Sequence, residues 1–360
     1  MSAVPDPGSW AGRRVLVTGH TGFKGSWLTL WLGAMGAEVT GLSRDVPTEP
    51  SLFELARVHE GIRDWRGDVA DRQAVADAVR AADPHILLHL AAQPIVRRSF
   101  EDPIDTYATN VMGTAHVLDA ARHAADLEAV LIVTSDKCYE NREWHWGYRE
   151  EEPLGGHDPY SSSKGAAELV TAAFRRSFFA EPGGPAIASA RAGNVVGGGD
   201  WGADRLIPDC MRAAAAGHEV RVRNPDAIRP WQHVLNPLSG YLVLVEGLHR
   251  DRTLAAPWNF GPADEDARPV RWIADRICER WPGPLSWGHD PGPHPHEAHS
   301  LKLDSSRARA RLDWAPRWGL AEALDAIVDW HGALARGEDM REVTLAQIEA
   351  FLAVEAGAAT

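Results

Sequence analysis

The sequence predicts an α/β fold: a doubly wound parallel sheet with a smaller, loop-rich C-terminal portion laid over it. Three observations carry the prediction. Short unbroken apolar runs alternate with stretches of helical periodicity from residue 13 to residue 191. The first run ends in a glycine-rich turn. Beyond about residue 192 the texture changes, with Gly, Pro and Trp frequent in "GNVVGGGDWG" and "WPGPLSWGHDPGPHPHEAH".

The elements follow in order. "RRVLVTG" (13–19) is a short apolar run closed by glycine, the pattern of a strand buried on both faces of a parallel sheet. From Phe23, the positions Trp27, Leu30, Trp31 and Ala34 recur at helical spacing, and Gly36 closes the helix. "AEVTGL" (37–42) is a second strand, and "GDVAD" (67–71) ends the next. The alternation continues with a helix at about 71–82, strand 85–91, helix 104–123, strand 129–135, helix 160–178 and strand 186–191. Repeated βα units of this kind build a Rossmann-like sheet. Residues 10–192 are therefore expected to form a dinucleotide-binding domain, and 193–360 mainly a substrate-binding portion. That portion carries short helices near 204–216, 236–249 and 269–281, then closing helices at 320–336 and 343–354, some of which are expected to return to the main domain.

Composition narrows the function. An apolar share of 44% is enough for a sizeable core, and a net charge of −13 argues against an extended phosphate-binding surface, so no nucleic-acid partner is expected. There is no run of 18 apolar residues, so no membrane span, and "MSAVPDPGSWAGRR" lacks a signal-peptide layout. Three cysteines without CxxC spacing predict neither disulfides nor structural zinc. The expectation is a soluble, cytoplasmic enzyme. Arginine supplies 33 of the 37 basic residues, leaving Lys24, Lys137, Lys164 and Lys302. A lysine kept against that background points to chemistry that a permanently charged guanidinium cannot do.

Gly19-His20-Thr21-Gly22-Phe23-Lys24-Gly25 is a GxxGxxG that follows a strand and opens a helix. Its glycines let backbone N–H groups approach a pyrophosphate, whose charge the helix N-terminus favours. At the end of the second strand, where an acid can hold an adenosine ribose, stands Ser43, followed by Arg44 and Asp45. Arg44 could meet a 2′-phosphate, so this segment leaves NAD and NADP open. Asp68, with Val69 beside it, is a candidate contact for the adenine. Tyr160 and Lys164 lie four apart on one helix face. A free phenol, with a pKa near ~10, is a poor base at neutral pH, but a neighbouring ammonium and a cationic nicotinamide both favour the phenolate.

With Ser135 closing the preceding strand, the glycine turn and Tyr160-x-x-x-Lys164 resemble the extended short-chain dehydrogenases/reductases. The resemblance implies that Ser135 hydrogen-bonds the reacting hydroxyl, Tyr160 removes its proton and Lys164 holds the nicotinamide ribose. It also implies that Asn110, in "YATNVMGTAHVLDAAR", belongs to an active-site helix, and that Ala91, in "HLAAQ", lines the cofactor diphosphate. After Ser135 come Asp136 and Lys137, two further titratable groups. They suit a reaction with extra proton transfers: once a sugar C4 is a ketone, loss of the C5 proton and of the C6 hydroxyl needs a base and an acid.

"GHTGFKGSW", "TSDKCYENREWHWGYRE", "LGGHDPYSSSKGAAELV", "RAGNVVGGGDW", "DRLIPD", "RPWQHV", "HEAHSLKLD" and "GEDMREVTLAQI" extend the likeness, from about residue 10 onward, to nucleotide-sugar 4,6-dehydratases. General members carry Asp-Glu where this chain has Asp136-Lys137, and the Asp-Lys pair resembles the branch that acts on CDP-glucose. The resemblance thus implies NAD as cofactor, CDP-glucose as substrate, and a homodimer built from the helices near 104–123 and 160–178. Asn110, Asn194, Arg205 and Arg229 are the candidate substrate contacts, and Lys137 is assigned with Asp136 to the elimination step, as a base if burial lowers its pKa. Lys24 is open between a solvated position and the site, and the role of Lys302 is open. Glu140, Asn141 and Arg142 either shape their loop or touch substrate. His294, His296 and His299 lack a carboxylate scaffold, so no metal is expected. The competing readings are a nucleotide-sugar 4-epimerase, a dehydratase of another nucleoside diphosphate glucose, and a non-catalytic NAD(P)-sensing protein.

Overall fold

The computed structural model describes residues 3–181, 183–203, 205–292 and 301–354. Seven strands form the central sheet: β1 (Arg14–Thr18), β2 (Glu38–Ser43), β3 (Arg63–Arg66), β4 (Ile86–His89), β5 (Ala129–Val133), β6 (Ala186–Arg191) and β7 (Pro257–Asn259). All pairings are parallel, in the order β7-β6-β5-β4-β1-β2-β3. The order reverses between β1 and β4, which opens a crevice at their carboxyl ends.

Alternate residues of each strand enter opposite cores, as the two-residue period of a strand requires. Val15, Val17 and Leu131 pack under Trp27 and Trp31 of α1 (Phe23–Ala34), and under helices from the C-terminal half. Leu16, Leu87 and Val130 pack against α2 (Arg72–Ala82), α3 (Gly113–Ala121) and α4 (Pro159–Phe178). Burying each such side chain fully contributes about 1.5–3 kcal/mol. A third cluster joins α5 (Leu206–Ala216) to residues Val220 and Val222 and to two later helices. Of the C-terminal half, α6 (Leu235–Arg250) and β7 return to the main sheet. Next come α7 (Val270–Arg280) and α8 (Leu320–Ala335), which face the third cluster, while α9 (Met340–Ala353) packs beneath α1.

Two features differ from the sequence reading. The helix expected over 104–123 is broken into Pro103–Tyr107, a π turn at Ala108–Met112, and α3. The extra residue per turn places Asn110 inward, where it is buried and hydrogen-bonded, and such turns concentrate at functional sites. Strand β7 has only three residues, too few for a periodicity to reveal; the burial of Trp258 and its pairing with β6 define it. The three cysteines are unpaired.

Candidate active site

Ser135 leaves β5 in extended conformation and caps a 3-10 turn, Asp136–Cys138. Its Oγ accepts from Lys137 N (3.2 Å) and donates to Asp136 Oδ1 (2.9 Å). The Asp136 carboxylate is buried against Gly193, where any Cβ would overlap its Oδ2. Within the turn, Asp136 and Cys138 point inward, and Lys137 between them points out. Lys137 is consequently exposed, not buried as a desolvated base would be, which corrects the condition attached to it.

Helix α4 begins at Pro159 because Asp158 caps it, accepting from Ser161 N (2.8 Å), and proline suits the first helical position. That start sets Tyr160 in the first turn, with its N donating to Ser99 Oγ (3.2 Å). Burial pushes the phenol's pKa up to about 12, while a hydrogen bond with Ser135 opposes the rise. One turn on, Lys164 is also buried, and desolvation pushes its pKa down to about 8 against the charges of Cys138 and Glu168. A further turn along, the Glu168 carboxylate accepts from Thr134 Oγ1 (2.5 Å), Ser189 Oγ (2.7 Å) and Arg191 Nη2 (2.9 Å). This buried clamp ties the catalytic helix to β6 and to the residue preceding Ser135. Nothing in the sequence singled out Glu168 or Arg191.

Lys24 belongs to the site. It is half-buried, with Nζ 5.9 Å from the centroid of the Tyr241 ring. Burial, helped by the charges of Lys164 and Arg205, pushes its pKa down to about 8, with Asp136 opposing. Its rarity in an arginine-rich chain was the signal that could have found it.

The glycine turn forms a cradle for a dinucleotide. Gly19 has φ +79°, and a Cβ there would lie 2.6 Å from Ala91 N, so only glycine lets the turn meet the loop after β4. Gly25 approaches Gly19 as closely, and Gly22 caps α1 with no side chain over its first-turn N–H groups, beside Phe23. Ser43 is turned inward: its Oγ bonds His20 Nδ1 (2.9 Å) and accepts from Thr21 N (3.4 Å), so it shapes the turn. Arg44 lies 3.2 Å from Asp45, 3.2 Å from Asp68 and 3.6 Å from Asp105. A 2′-phosphate there would face three carboxylates around an already committed guanidinium. Asp68 also accepts from Ala70 N (2.9 Å), and Val69 is buried with its carbonyl accepting from His116 Nδ1 (3.0 Å). Ala91 N donates to Thr18 Oγ1 (3.2 Å).

Of the substrate candidates, Arg205 stands nearest the chemistry. It holds Asp200 at 3.0 Å, and its charge acts on both Tyr160 and Lys24. Asn194 adopts left-handed φ (+49°), and its side-chain amide makes no hydrogen bond among the described residues. Asn110 is committed to the protein: Oδ1 accepts from Gln93 N (2.9 Å), and Nδ2 donates to Gln93 O (3.1 Å) and Ser163 Oγ (2.8 Å). It joins the loop after β4 to α4. Arg229 is partly buried in a two-stranded ribbon, Ile228–Pro230 with Ala267–Pro269. Arg142 N donates to Tyr148 Oη (2.6 Å), which donates to Asn141 Oδ1 (3.1 Å), so these residues fold their loop. Lys302 lies 3.9 Å from Asp264 in a separate open cleft of about 700 Å³, bordered by none of the catalytic side chains. His294, His296 and His299 lie outside the described residues.

Serine, tyrosine and lysine gathered beside a glycine-rich nucleotide turn on a parallel sheet define a short-chain dehydrogenase/reductase site. Comparison with known proteins is more specific. The GDP-mannose 4,6 dehydratase family profile matches residues 16–256, and the chain belongs to that family. It is 54% identical over 340 residues to the CDP-glucose 4,6-dehydratase of Salmonella typhimurium, covering 93% of this chain and 95% of that one. The dTDP-glucose 4,6-dehydratase of Streptomyces griseus is 29% identical over 88% of this chain and 93% of its own. Among solved structures, the UDP-glucose 4-epimerase of Thermus thermophilus in complex with NAD matches with TM-score 0.75 at 23% identity, over 89% of this chain and 99% of that one, which shows the shared fold.

Proposed function

We propose that the chain converts CDP-glucose to CDP-4-dehydro-6-deoxyglucose and water with NAD as cofactor. The observation that carries this reading is the buried Asp136 carboxylate, hydrogen-bonded to Ser135 inside the oxidation site. A 4-epimerase has no step for such an acid. Identity of 54% to a CDP-glucose 4,6-dehydratase supports the substrate.

The cradle at Gly19, Gly22 and Gly25 fits a dinucleotide diphosphate, and the acids around Arg44 favour NAD over NADP. NAD⁺, when bound, supplies the acceptor for the C4 hydride and returns that hydride to C6, so none is consumed. The chain's own residues manage the protons. Ser135 Oγ and Tyr160 Oη hold the C4 hydroxyl, and Lys164 orients the ribose and stabilises negative charge on the phenol. Asp136 protonates the departing C6 oxygen. Lys137, adjacent and exposed, stabilises as an ammonium the enolate formed as C5 loses its proton to solvent water at this open edge of the site, and it gives a proton back to C5 afterwards, being reprotonated from that water. Asn194, Arg205 and Arg229 are assigned to the nucleotide diphosphate, where a guanidinium matches phosphate geometry.

A homodimer is part of the same reading. Phe100, Ile104, Met112, Leu169 and Phe178 are all exposed, and all lie on α4 or the helical segments between residues 96 and 112. Such an apolar face suits a second copy. Among the described residues no helix is long and apolar enough to cross a membrane, and we place the enzyme in the cytoplasm.

Incubation with NAD⁺ and, separately, CDP-, dTDP-, GDP- and UDP-glucose tests the function. A 4-dehydro-6-deoxy sugar is expected, fastest from CDP-glucose. Recovery of only a C4 epimer, or no reaction with any of the four, would overturn the reading.

A further inference from the structure

One short turn of chain has to serve two chemical steps. Ser135, at its entry, belongs to C4 oxidation, and Asp136 and Lys137, the next two residues, belong to elimination. The residues that flank this stretch, Thr134 and Tyr139, are both bonded to one buried ion pair. At the entry, Thr134 Oγ1 donates to Glu168 Oε1 (2.5 Å). At the exit, the Tyr139 hydroxyl accepts from Arg191 Nη1 (2.7 Å) and donates to Asn259 Oδ1 (2.8 Å), with the guanidinium 4.9 Å from the centre of the ring. Glu168 Oε2 and Arg191 Nη2 close the pair at 2.9 Å.

The pair is also in register with the oxidation residues. Tyr160, Lys164 and Glu168 follow at four-residue intervals along α4, so the carboxylate lies one turn beyond the lysine. A Cβ at Gly165, beside Lys164, would lie 3.2 Å from Cys138 O, so the helix meets the turn backbone to backbone. Arg191 ends β6, and two residues on, Gly193 lies so close to Asp136 that a Cβ would overlap its Oδ2. Neither charge of the pair can turn away without leaving the other buried alone, which makes the pair a stiff reference point.

We propose that Glu168 and Arg191 are positioning residues that set the two ends of the turn separately: Glu168, through Thr134, holds Ser135 for oxidation, and Arg191, through Tyr139, holds Asp136 and Lys137 for elimination. The division rests on the dehydratase reading above and follows from chain order. Freeing Tyr139 loosens the turn from its exit, where Asp136 and Lys137 stand, while Thr134 stays bonded through Glu168 and through its own N to Ala190 O (2.9 Å). Freeing the Thr134 hydroxyl loosens the side on which Ser135 leaves the sheet. Misplacing a reacting group by about 1 Å is enough to cost on the order of a hundredfold in rate.

Hydroxyl deletions test the division while leaving both charges of the pair in place. Single-turnover mixing of the holoenzyme reads two rates by nicotinamide absorbance. Oxidation is the appearance of reduced cofactor with CDP-6-deoxyglucose, which has no C6 hydroxyl to lose. Elimination is read with CDP-glucose as the decay of reduced cofactor, which awaits loss of water. Tyr139→Phe should oxidise within about threefold of the native rate, yet show a decay about tenfold slower or more, so that reduced cofactor accumulates. Thr134→Val should slow oxidation by about tenfold or more, and Thr134→Ser, which keeps the hydroxyl, should restore it. A general loosening of the fold would lower both rates together and would not separate the two variants. The assignment is overturned if Tyr139→Phe slows oxidation as much as elimination, if it slows neither, or if Thr134→Val oxidises at the native rate. If the native enzyme itself forms no 4-dehydro-6-deoxy sugar from CDP-glucose, the dehydratase reading fails instead, and the assignment with it.

Discussion

Lys164 holds its ammonium in a buried site, and the cost of doing so depends on pH. Desolvation pushes its folded pKa down to about 8 from 10.5. Below pH 8 both the folded and unfolded chains carry the proton, and the burial cost is present in full. Between about pH 8 and 10.5 the unfolded chain binds more protons, so stability of the cofactor-free protein rises with pH, by roughly 3 kcal/mol for this group. Denaturant titrations across that range should show the rise, and Lys164→Met should make it shallower, leaving the share from Lys24, which burial also pushes down to about 8; parallel curves would exclude Lys164 as a source. Tyr160→Phe should retain dinucleotide binding while turnover falls by roughly two to four orders of magnitude, the scale of acid–base catalysis, read as product formed per enzyme. Lys137→Met should still oxidise C4, accumulating reduced cofactor, yet lose water slowly and incorporate little deuterium at C5 in heavy water. Wild-type elimination in that variant would remove Lys137 from the step, and failure to reduce the cofactor would place it in substrate binding.

The elements are coupled by buried polar groups as well as by the apolar stripes that predicted them. Glu168 and Arg191 are each 2% exposed in side chain and form an ion pair at 2.9 Å between α4 and β6. Arg191 also donates to Tyr139 Oη (2.7 Å) and to Glu150 O (3.0 Å), bringing the loop beyond Ser135 under the same control. Removing one member of such a pair leaves the other charge buried and uncompensated, so Glu168→Gln should cost about 3 kcal/mol or more in equilibrium unfolding. A loss below about 1 kcal/mol would mean that Arg191 is satisfied by its other partners. The Tyr160 and Lys164 spacing was readable because a helix brings i and i+4 to one face. The clamp was not, because Thr134, Glu168, Ser189 and Arg191 come from three elements whose adjacency is set by sheet order.

At the scale of the molecule, the acidic chain concentrates Lys24, Lys164 and Arg205 around one crevice, where their charges act on one another through Lys24. Anionic ligands are the natural neutralisers of such a cluster. The opposite requirement governs the apolar face on α4, where Leu169 is 61% exposed. Leu169→Glu should shift sedimentation towards the monomer mass under conditions where the unaltered protein is a dimer. An unchanged mass would place the association surface elsewhere.

Read alone, the sequence determined what depends on local pattern: the βα alternation, the glycine turn at Gly19–Gly25, the ends of most helices, and the helical spacing of Tyr160 and Lys164. These follow from the periods of strand and helix and from the backbone freedom of glycine, which neighbouring residues encode. Only the tertiary structure decided that Lys24 joins Lys164, that Lys137 faces outward, and that Arg44 is surrounded by Asp45, Asp68 and Asp105. It also committed Asn110 to Gln93 and Ser163, and turned Ser43 towards His20. Each of these depends on which side chain arrives from a distant segment. Packing and charge pairing choose that partner, and no periodicity along the chain records it.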